Sequence, residues 1–149
     1  MYANPNLKNT FQPRLKQAKS EIGSYKNEAN LWIIDKNIAN SAGNLCLHLI
    51  GNLNTYIGAT LGGSNYIRNR ELEFSLKDIP KQELINMIEA TLTVVNQTLD
   101  KITEEQLNGE YPMLVFQEKT STEFFLVHLA THLTYHLGQI NYHRRLLDE

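Results

Sequence analysis

The sequence predicts an all-α fold, a four-helix bundle with one long crossover connection. Four stretches repeat apolar residues at spacings of three and four, as helices with one buried face do. No stretch alternates apolar and polar residues convincingly enough to indicate a strand. One connection, over residues 62–80, is long enough to cross a bundle. At 149 residues, the chain is predicted to be a single domain over residues 1–149.

Composition excludes several classes of protein. Fourteen basic and 16 acidic residues give a formal charge of −2, so no bulk attraction to nucleic acid is expected. No apolar run is long enough for a transmembrane helix, and the first residues lack a signal-peptide pattern, so no membrane partner is expected. A single cysteine, Cys46, permits no internal disulfide and suits a reducing cytoplasm. Because Cys46 falls on an apolar helical face, we expect a buried, inert thiol.

The first helix is predicted from about Thr10 to about Tyr25. Its apolar face comprises Leu15, Ala18, Ile22 and Tyr25. Thr10 is the expected N-cap, which would leave Pro13 in the first turn, where its missing N–H costs little. A short apolar cluster follows, in which Trp32 is expected to anchor packing.

The second helix is predicted over residues 41–61. Its buried face comprises Leu45, Leu49, Leu53, Tyr56 and Ile57. Gly51, Gly58 and Gly62 fall near a second side, and each helical glycine costs roughly 1 kcal/mol relative to alanine. Close approach of another helix is therefore expected there. His48 lies on a polar strip between the two sides.

The long connection is expected to be a crossover or part of a site. It contains Arg68 and Arg70, which are either anion-binding groups or solvated, ion-paired side chains. The third helix is predicted over about 80–102, and its seam comprises Ile88, Leu92, Val95, Leu99 and Ile102. Thr103 with Gln106 predicts a short capped turn. Residues 111–119 are expected to be extended and to form one wall of a site.

The last helix carries the strongest functional pattern. Thr120 with Glu123 fits a capping box. The apolar stripe comprises Leu126, Leu129, Leu133, Leu137, Ile140 and Leu147. On an ideal helix His136 lies about 50° from the centre of that stripe, His132 about 90° and His128 about 130°. His132 and His136, one turn apart beside the core, can grip one cation. His128 leans away and is not expected to be a ligand.

The spacing alone permits two interpretations of this pattern. Histidines four residues apart also occur by chance on helix flanks, where they share hydrogen bonds. If a metal is bound, a third ligand must come from another element, and His48 on the polar strip is the obvious one. Three imidazoles suit zinc or nickel, with iron and copper as further candidates.

Two motifs resemble a known family: HLIGNL, which begins at His48, and THLTYHLGQI in the last helix. Together with the layout of most of the chain they resemble the DinB-like metalloenzyme superfamily. The resemblance implies an up-down-down-up bundle, commonly a homodimer, with a divalent metal between helices. The metal ligands carry over to His48, His132 and His136. Gln139 matches a family glutamine that has no settled role.

The implied chemistry follows from three protein ligands, which leave a position open for water or substrate. The resemblance implies that the metal activates a low-molecular-weight thiol. The thiol is then transferred to a small-molecule substrate or serves in its isomerisation. The alternatives are metal-dependent hydrolysis and a non-catalytic metal-binding protein of the stress response. No general base is obvious near the triad; His128 and Glu123 are the candidates.

A homodimer is expected from the family habit and from two sequence features. One is the regular seam of the third helix. The other is the presence of aromatic residues outside the apolar stripes, namely Trp32, Phe124 and Phe125. Such residues can bury a second apolar side against a symmetry mate.

Overall fold

The computed structural model describes residues 5–149, and its regular structure there is helical. The α-helices are α1 (Pro5–Gly23), α2 (Ala42–Leu53), α3 (Arg70–Ser75), α4 (Lys81–Lys101), α5 (Glu104–Asn108) and α6 (Thr122–Leu147). A 3-10 helix spans Glu28–Trp32, and a π-helix, Asn54–Ala59, continues α2. Helix α1 contacts α4 and α6, and α2 contacts α3, α4 and α6. The all-α prediction is confirmed, while the up-down-down-up bundle topology stays a prediction.

Helix α1 begins earlier than the sequence suggested. The predicted N-cap, Thr10, is wrong, because Thr10 lies inside the helix and its hydroxyl donates to the carbonyl of Asn6 at 2.6 Å. Pro13 therefore occupies the helix interior rather than the first turn. Leu7 and Phe11 are buried and extend the apolar stripe towards the N-terminus. Their burial offsets the interior proline, which costs about 3 kcal/mol in an isolated helix.

The second helix does not continue as a regular α-helix to residue 61. After Leu53 it widens into the π-helix, in which the N–H of Thr60 donates to the carbonyl of Thr55 at 3.0 Å. The predicted close approach is confirmed at Gly58, where an added Cβ would lie 2.8 Å from Val94 of α4. A Cβ at Gly51 would instead lie 2.6 Å from the carboxylate carbon of Glu73.

The long connection carries α3, which packs against α2. Asn44 holds the two together, because its amide donates to the carbonyls of Glu73 and Leu76, both at 2.9 Å. Helix α4 follows with nearly the predicted bounds. The capping box of Thr103 and Gln106 is confirmed and opens α5.

Helix α6 is capped one residue later than predicted. Ser121, not Thr120, accepts the hydrogen bond from the N–H of Phe124. The carbonyl of Thr120 is engaged elsewhere and accepts from the N–H of Tyr111 at 2.8 Å. Phe125 was expected outside the core, which is wrong: it is fully buried, and its ring packs at a tilt against that of Tyr111, with ring centroids 4.2 Å apart. No described helix combines the length and apolar character required to cross a bilayer.

Candidate metal centre

The three histidines predicted as ligands converge where α2 meets α6. The Nε2 atom of His132 lies 3.1 Å from the Nε2 of His48 and 3.1 Å from the Nε2 of His136. His48 is buried and the other two are half-buried. Among residues 5–149, these three form the group of potential ligands whose ring nitrogens all lie within 4.8 Å of one another.

Two of the rings have their proton position assigned by their neighbours. The Nδ1 of His48 lies 3.1 Å from a carboxylate oxygen of Glu73, and the Nδ1 of His136 lies 2.7 Å from the amide oxygen of Gln139. Both oxygens accept hydrogen bonds, so each Nδ1 carries the hydrogen, and the Nη2 of Arg68, 3.4 Å from the Nδ1 of His48, is the longer and weaker contact there. In the neutral rings the Nε2 atoms of His48 and His136 therefore present lone pairs, and both face the Nε2 of His132.

This arrangement fits a cation better than a hydrogen bond network. A neutral His132 carries one ring hydrogen, which can serve one of the two facing lone pairs but not both. A metal ion at the point where the three rings meet would accept one lone pair from each of the three Nε2 atoms. Ligand nitrogens about 2.0–2.1 Å from one tetrahedral zinc ion lie about 3.3 Å apart, close to the 3.1 Å observed. The residues present therefore fit a transition metal.

Burial keeps two of the imidazoles neutral. It lowers the pKa of His132 to about 4, and the charges of the neighbouring His136 and His48 act in the same direction. Burial also lowers the pKa of His48 below its ordinary 6.5, against the opposing hydrogen bond with Glu73. Because His48 is neutral at pH 7, its contact with Glu73 is a hydrogen bond rather than an ion pair. Neutral imidazole is the form that binds metals.

Glu73 is the residue beside the triad that the sequence did not reveal. Its carboxylate is buried and accepts two hydrogen bonds from Arg68, at 2.8 and 2.9 Å. A carboxylate that accepts from the second nitrogen of a ligating histidine is common around metals, where it fixes the ring and raises its basicity. Gln139 makes the corresponding hydrogen bond with His136. The Nδ1 of His132 is buried without a hydrogen-bond partner among the described residues.

The remaining candidates lie outside the triad. His128 is exposed on α6, and its ring contacts Phe116, with ring centroids 4.7 Å apart. Glu123 is exposed in the first turn of α6. Arg68 is engaged with Glu73, as the ion-paired alternative anticipated. Cys46 is buried, as predicted, and burial raises the pKa of its thiol to about 12.

A cavity of about 290 Å³ opens beside the triad. Its lining includes His48, His132, His128, Arg68 and Arg70, together with Asn52, Tyr56, Val115, Phe125 and Leu129. Val115 belongs to the segment 111–119, so this segment does contribute a wall of the site. The cavity therefore reaches two of the three histidines of the triad, His48 and His132.

Comparisons with known proteins identify a solved structure of similar fold and a sequence family. No curated protein matches the sequence. The crystal structure of a conserved protein from Enterococcus faecalis is similar in fold, with a TM-score of 0.75 and 19% sequence identity over 99% of this chain and 98% of that chain. Residues 4–149 match the family described as Protein of unknown function (DUF1572). The chain therefore belongs to the DUF1572 family.

Proposed function

We propose that His48, His132 and His136 bind one divalent transition metal, with zinc and nickel as the first candidates. The observation that carries this proposal is that the Nε2 atoms of His48 and His136 each lie 3.1 Å from the Nε2 of His132, with one ring hydrogen at most among the three. The proposal includes membership of the DinB-like superfamily and its up-down-down-up bundle. Neutral imidazoles favour zinc, nickel, iron or copper over magnesium or calcium.

We propose further that the metal-loaded protein activates a low-molecular-weight thiol. The thiol is either transferred to a small electrophilic substrate or used to isomerise it. A divalent metal held by the three histidines would lower the pKa of a bound thiol, so that the thiol releases its proton to solvent and is a thiolate nucleophile at neutral pH. The chain does not supply this thiol, because its single cysteine, Cys46, is buried. The thiol therefore enters from solution through the cavity beside His132.

Hydrogen bonds with neighbouring side chains fix the orientation of two of the three imidazole rings. Glu73 accepts from the Nδ1 of His48 and fixes that ring, while Arg68 holds Glu73 by two hydrogen bonds. Gln139 fixes His136 in the same way. These contacts aim lone pairs at the common point before any ligand arrives, which reduces the reorganisation that binding requires.

A thiol-transfer assay tests the function. Protein without a histidine tag is loaded with zinc or nickel and mixed with bacillithiol, glutathione or cysteine and a generic electrophile such as 1-chloro-2,4-dinitrobenzene. We expect a rate above that of His132→Ala, and His128→Ala should keep most of it. Ester or amide hydrolysis without thiol transfer would favour the hydrolase alternative. Metal binding with neither activity would favour a non-catalytic metal-binding protein.

A second proposal concerns assembly: we propose that α6 pairs with α6 of a second copy. The face opposite the core is exposed and apolar, and comprises Phe124, Val127, Tyr135, Tyr142 and Leu146. Gly138 lies on this face, and within residues 5–149 nothing beyond its own stretch of helix lies within 4 Å of where its Cβ would be. An exposed mid-helix glycine costs about 1 kcal/mol, and close approach of a second helix would account for it.

Charge favours an antiparallel pairing of the two copies. Glu123 lies in the first turn of α6 and Arg145 in the last. A two-fold axis near Tyr135 would bring Glu123 of each copy towards Arg145 of the other, as an isologous interface requires. Of the aromatic residues expected at an interface, Phe124 is the one that fits this face, because Phe125 is buried and Trp32 packs over Gly43.

A further inference from the structure

We infer that the cavity beside the histidine triad is a binding site for a small carboxylate that bears a hydrogen-bond donor and an apolar group. The inference deepens the proposed function, since this cavity is the approach to the proposed metal, but its recognition groups are separate from the three ligands. Each part of the ligand follows from a different feature of the lining.

The anionic group follows from the charges around the cavity. Arg68 is neutralised by Glu73. Arg70 is exposed and lies over the ring of Phe74, 5.8 Å from its centroid. No carboxylate within residues 5–149 lies at ion-pairing distance from Arg70, so the lining carries one uncompensated positive charge. A planar guanidinium binds carboxylates through paired hydrogen bonds.

The donor follows from an unpaired buried acceptor. Asn52 lies one turn after His48 on α2 and lines the cavity. The residue is 7% exposed, and its Oδ1 atom has no hydrogen-bond partner among the described residues. Leaving such an acceptor buried and unpaired destabilises the protein, because the group has lost its hydrogen bonds to water. Oδ1 itself is closed to solvent, so a ligand O–H or N–H in the cavity would recover this energy when the Asn52 amide turns its oxygen towards the cavity.

The apolar group follows from the opposite wall. Tyr56, Val115, Phe125 and Leu129 line it, and Phe125 packs edge-on against Tyr56 with ring centroids 5.3 Å apart. The π-helix that follows Asn52 places Tyr56 in this lining while its neighbour Ile57 is fully buried. A volume of about 290 Å³ admits about ten non-hydrogen atoms, taking about 30 Å³ for each as for liquid water. A ring or short branched chain fills that space.

Calorimetric titration with three matched probes tests this assignment. Mandelate has the carboxylate, the hydroxyl and an apolar ring; phenylacetate lacks the hydroxyl, and 1-phenyl-1,2-ethanediol lacks the carboxylate. The full chain is titrated both after removal of metal with EDTA and after reloading with zinc. We expect metal-free protein to bind mandelate about 2–10-fold more tightly than phenylacetate and at least about tenfold more tightly than the diol.

Variants assign each contact. Arg70→Gln should weaken mandelate binding about 10–100-fold, since hydrogen bonds to charged groups contribute about 1.5–3 kcal/mol. Asn52→Leu should lower the affinity for mandelate to that for phenylacetate and leave the affinity for phenylacetate unchanged. Arg14→Gln, which removes an arginine that does not line the cavity, is the matched control. Thermal melts verify that each variant is folded.

The outcomes separate this inference from the proposed metal function. Mandelate binding that is equal in Arg70→Gln and wild type, or absent at millimolar concentration, overturns the inference. Binding that requires zinc and ignores Arg70→Gln also overturns it, because the carboxylate then sits on the metal. Arg70-dependent binding to a protein that takes up no metal supports the inference and rejects the metal function instead.

Discussion

Replacing Gly51 by alanine tests how the site is held together without touching any ligand. Gly51 lies on α2 against the carboxylate of Glu73, the group that fixes His48. An added Cβ would lie 2.6 Å from the carboxylate carbon and closer still to one of its oxygens. The backbone of Gly51 is in ordinary helical conformation, so the steric contact is the main effect of the substitution.

The magnitude follows from the distances. Moving the carboxylate carbon from 2.6 Å to the 3.4 Å of an ordinary contact requires a shift of 0.8 Å. A shift of that size along the hydrogen bond from Arg68 would lengthen it from 2.8 to 3.6 Å, beyond hydrogen-bond distance. Overpacking and loosened charged hydrogen bonds cost about 2–4 kcal/mol together, and alanine returns about 1 kcal/mol of helix propensity. We expect net destabilisation of about 1–3 kcal/mol.

The assay has two readouts and a matched control. Urea denaturation of metal-free protein measures stability, and competition with a chelator measures metal affinity, which should fall about 10–100-fold when a ligand's supporting carboxylate is displaced. Gly23→Ala is the control, because its Cβ would make an ordinary 3.7 Å contact with Ile85 and should change stability by less than about 1 kcal/mol. Wild-type stability and metal affinity in Gly51→Ala would refute the role assigned to Glu73.

Two further predictions concern assembly and pH. Light scattering at micromolar concentration should give twice the 17.1 kDa monomer mass. Tyr135→Lys should give the monomer mass, while the control Thr93→Lys, on the exposed side of α4, should stay dimeric. A wild-type monomer would contradict the α6 pairing. His143 accepts from the hydroxyl of Tyr25 and donates to the carbonyl of Ile33, and burial lowers its pKa below 6.5. Because the unfolded state then binds more protons in acid, stability is full above about pH 6.5 and is lost below it by up to about 1.4 kcal/mol per pH unit. Urea midpoints of metal-free protein should therefore fall less between pH 7.5 and 5.5 in His143→Gln than in wild type, and equal falls would count against this account.

The sequence predicted what depends on local periodicity. The four-residue spacing of His132 and His136, measured against the apolar stripe of α6, placed both beside the core, and the polar strip of α2 pointed to His48. The ends of α4 follow from Pro80 and from the regular seam that precedes residue 102. The cap formed by Thr103 and Gln106 is likewise a short-range signal, which tertiary packing does not override.

What the sequence did not predict depends on how distant segments meet. Glu73 lies 25 residues from His48, and its position depends on the path of the crossover. The π-helix after Leu53 leaves no mark in the residue pattern. Two capping residues stand side by side before α6, and the pairing of Tyr111 with Thr120 decides that Ser121 is used.

Metal content after reloading is the measurement that tests the central proposal most directly. Tag-free protein is stripped with a chelator, reloaded with zinc or nickel, freed of unbound metal and analysed by mass spectrometry of the elements. We expect one ion per chain in wild type, most of it retained in His128→Ala, and loss in His132→Ala, because a ligand contributes more affinity than a neighbour outside the triad. No bound metal in the wild type, or equal loss in the two variants, would contradict the assignment of His48, His132 and His136 as the ligands.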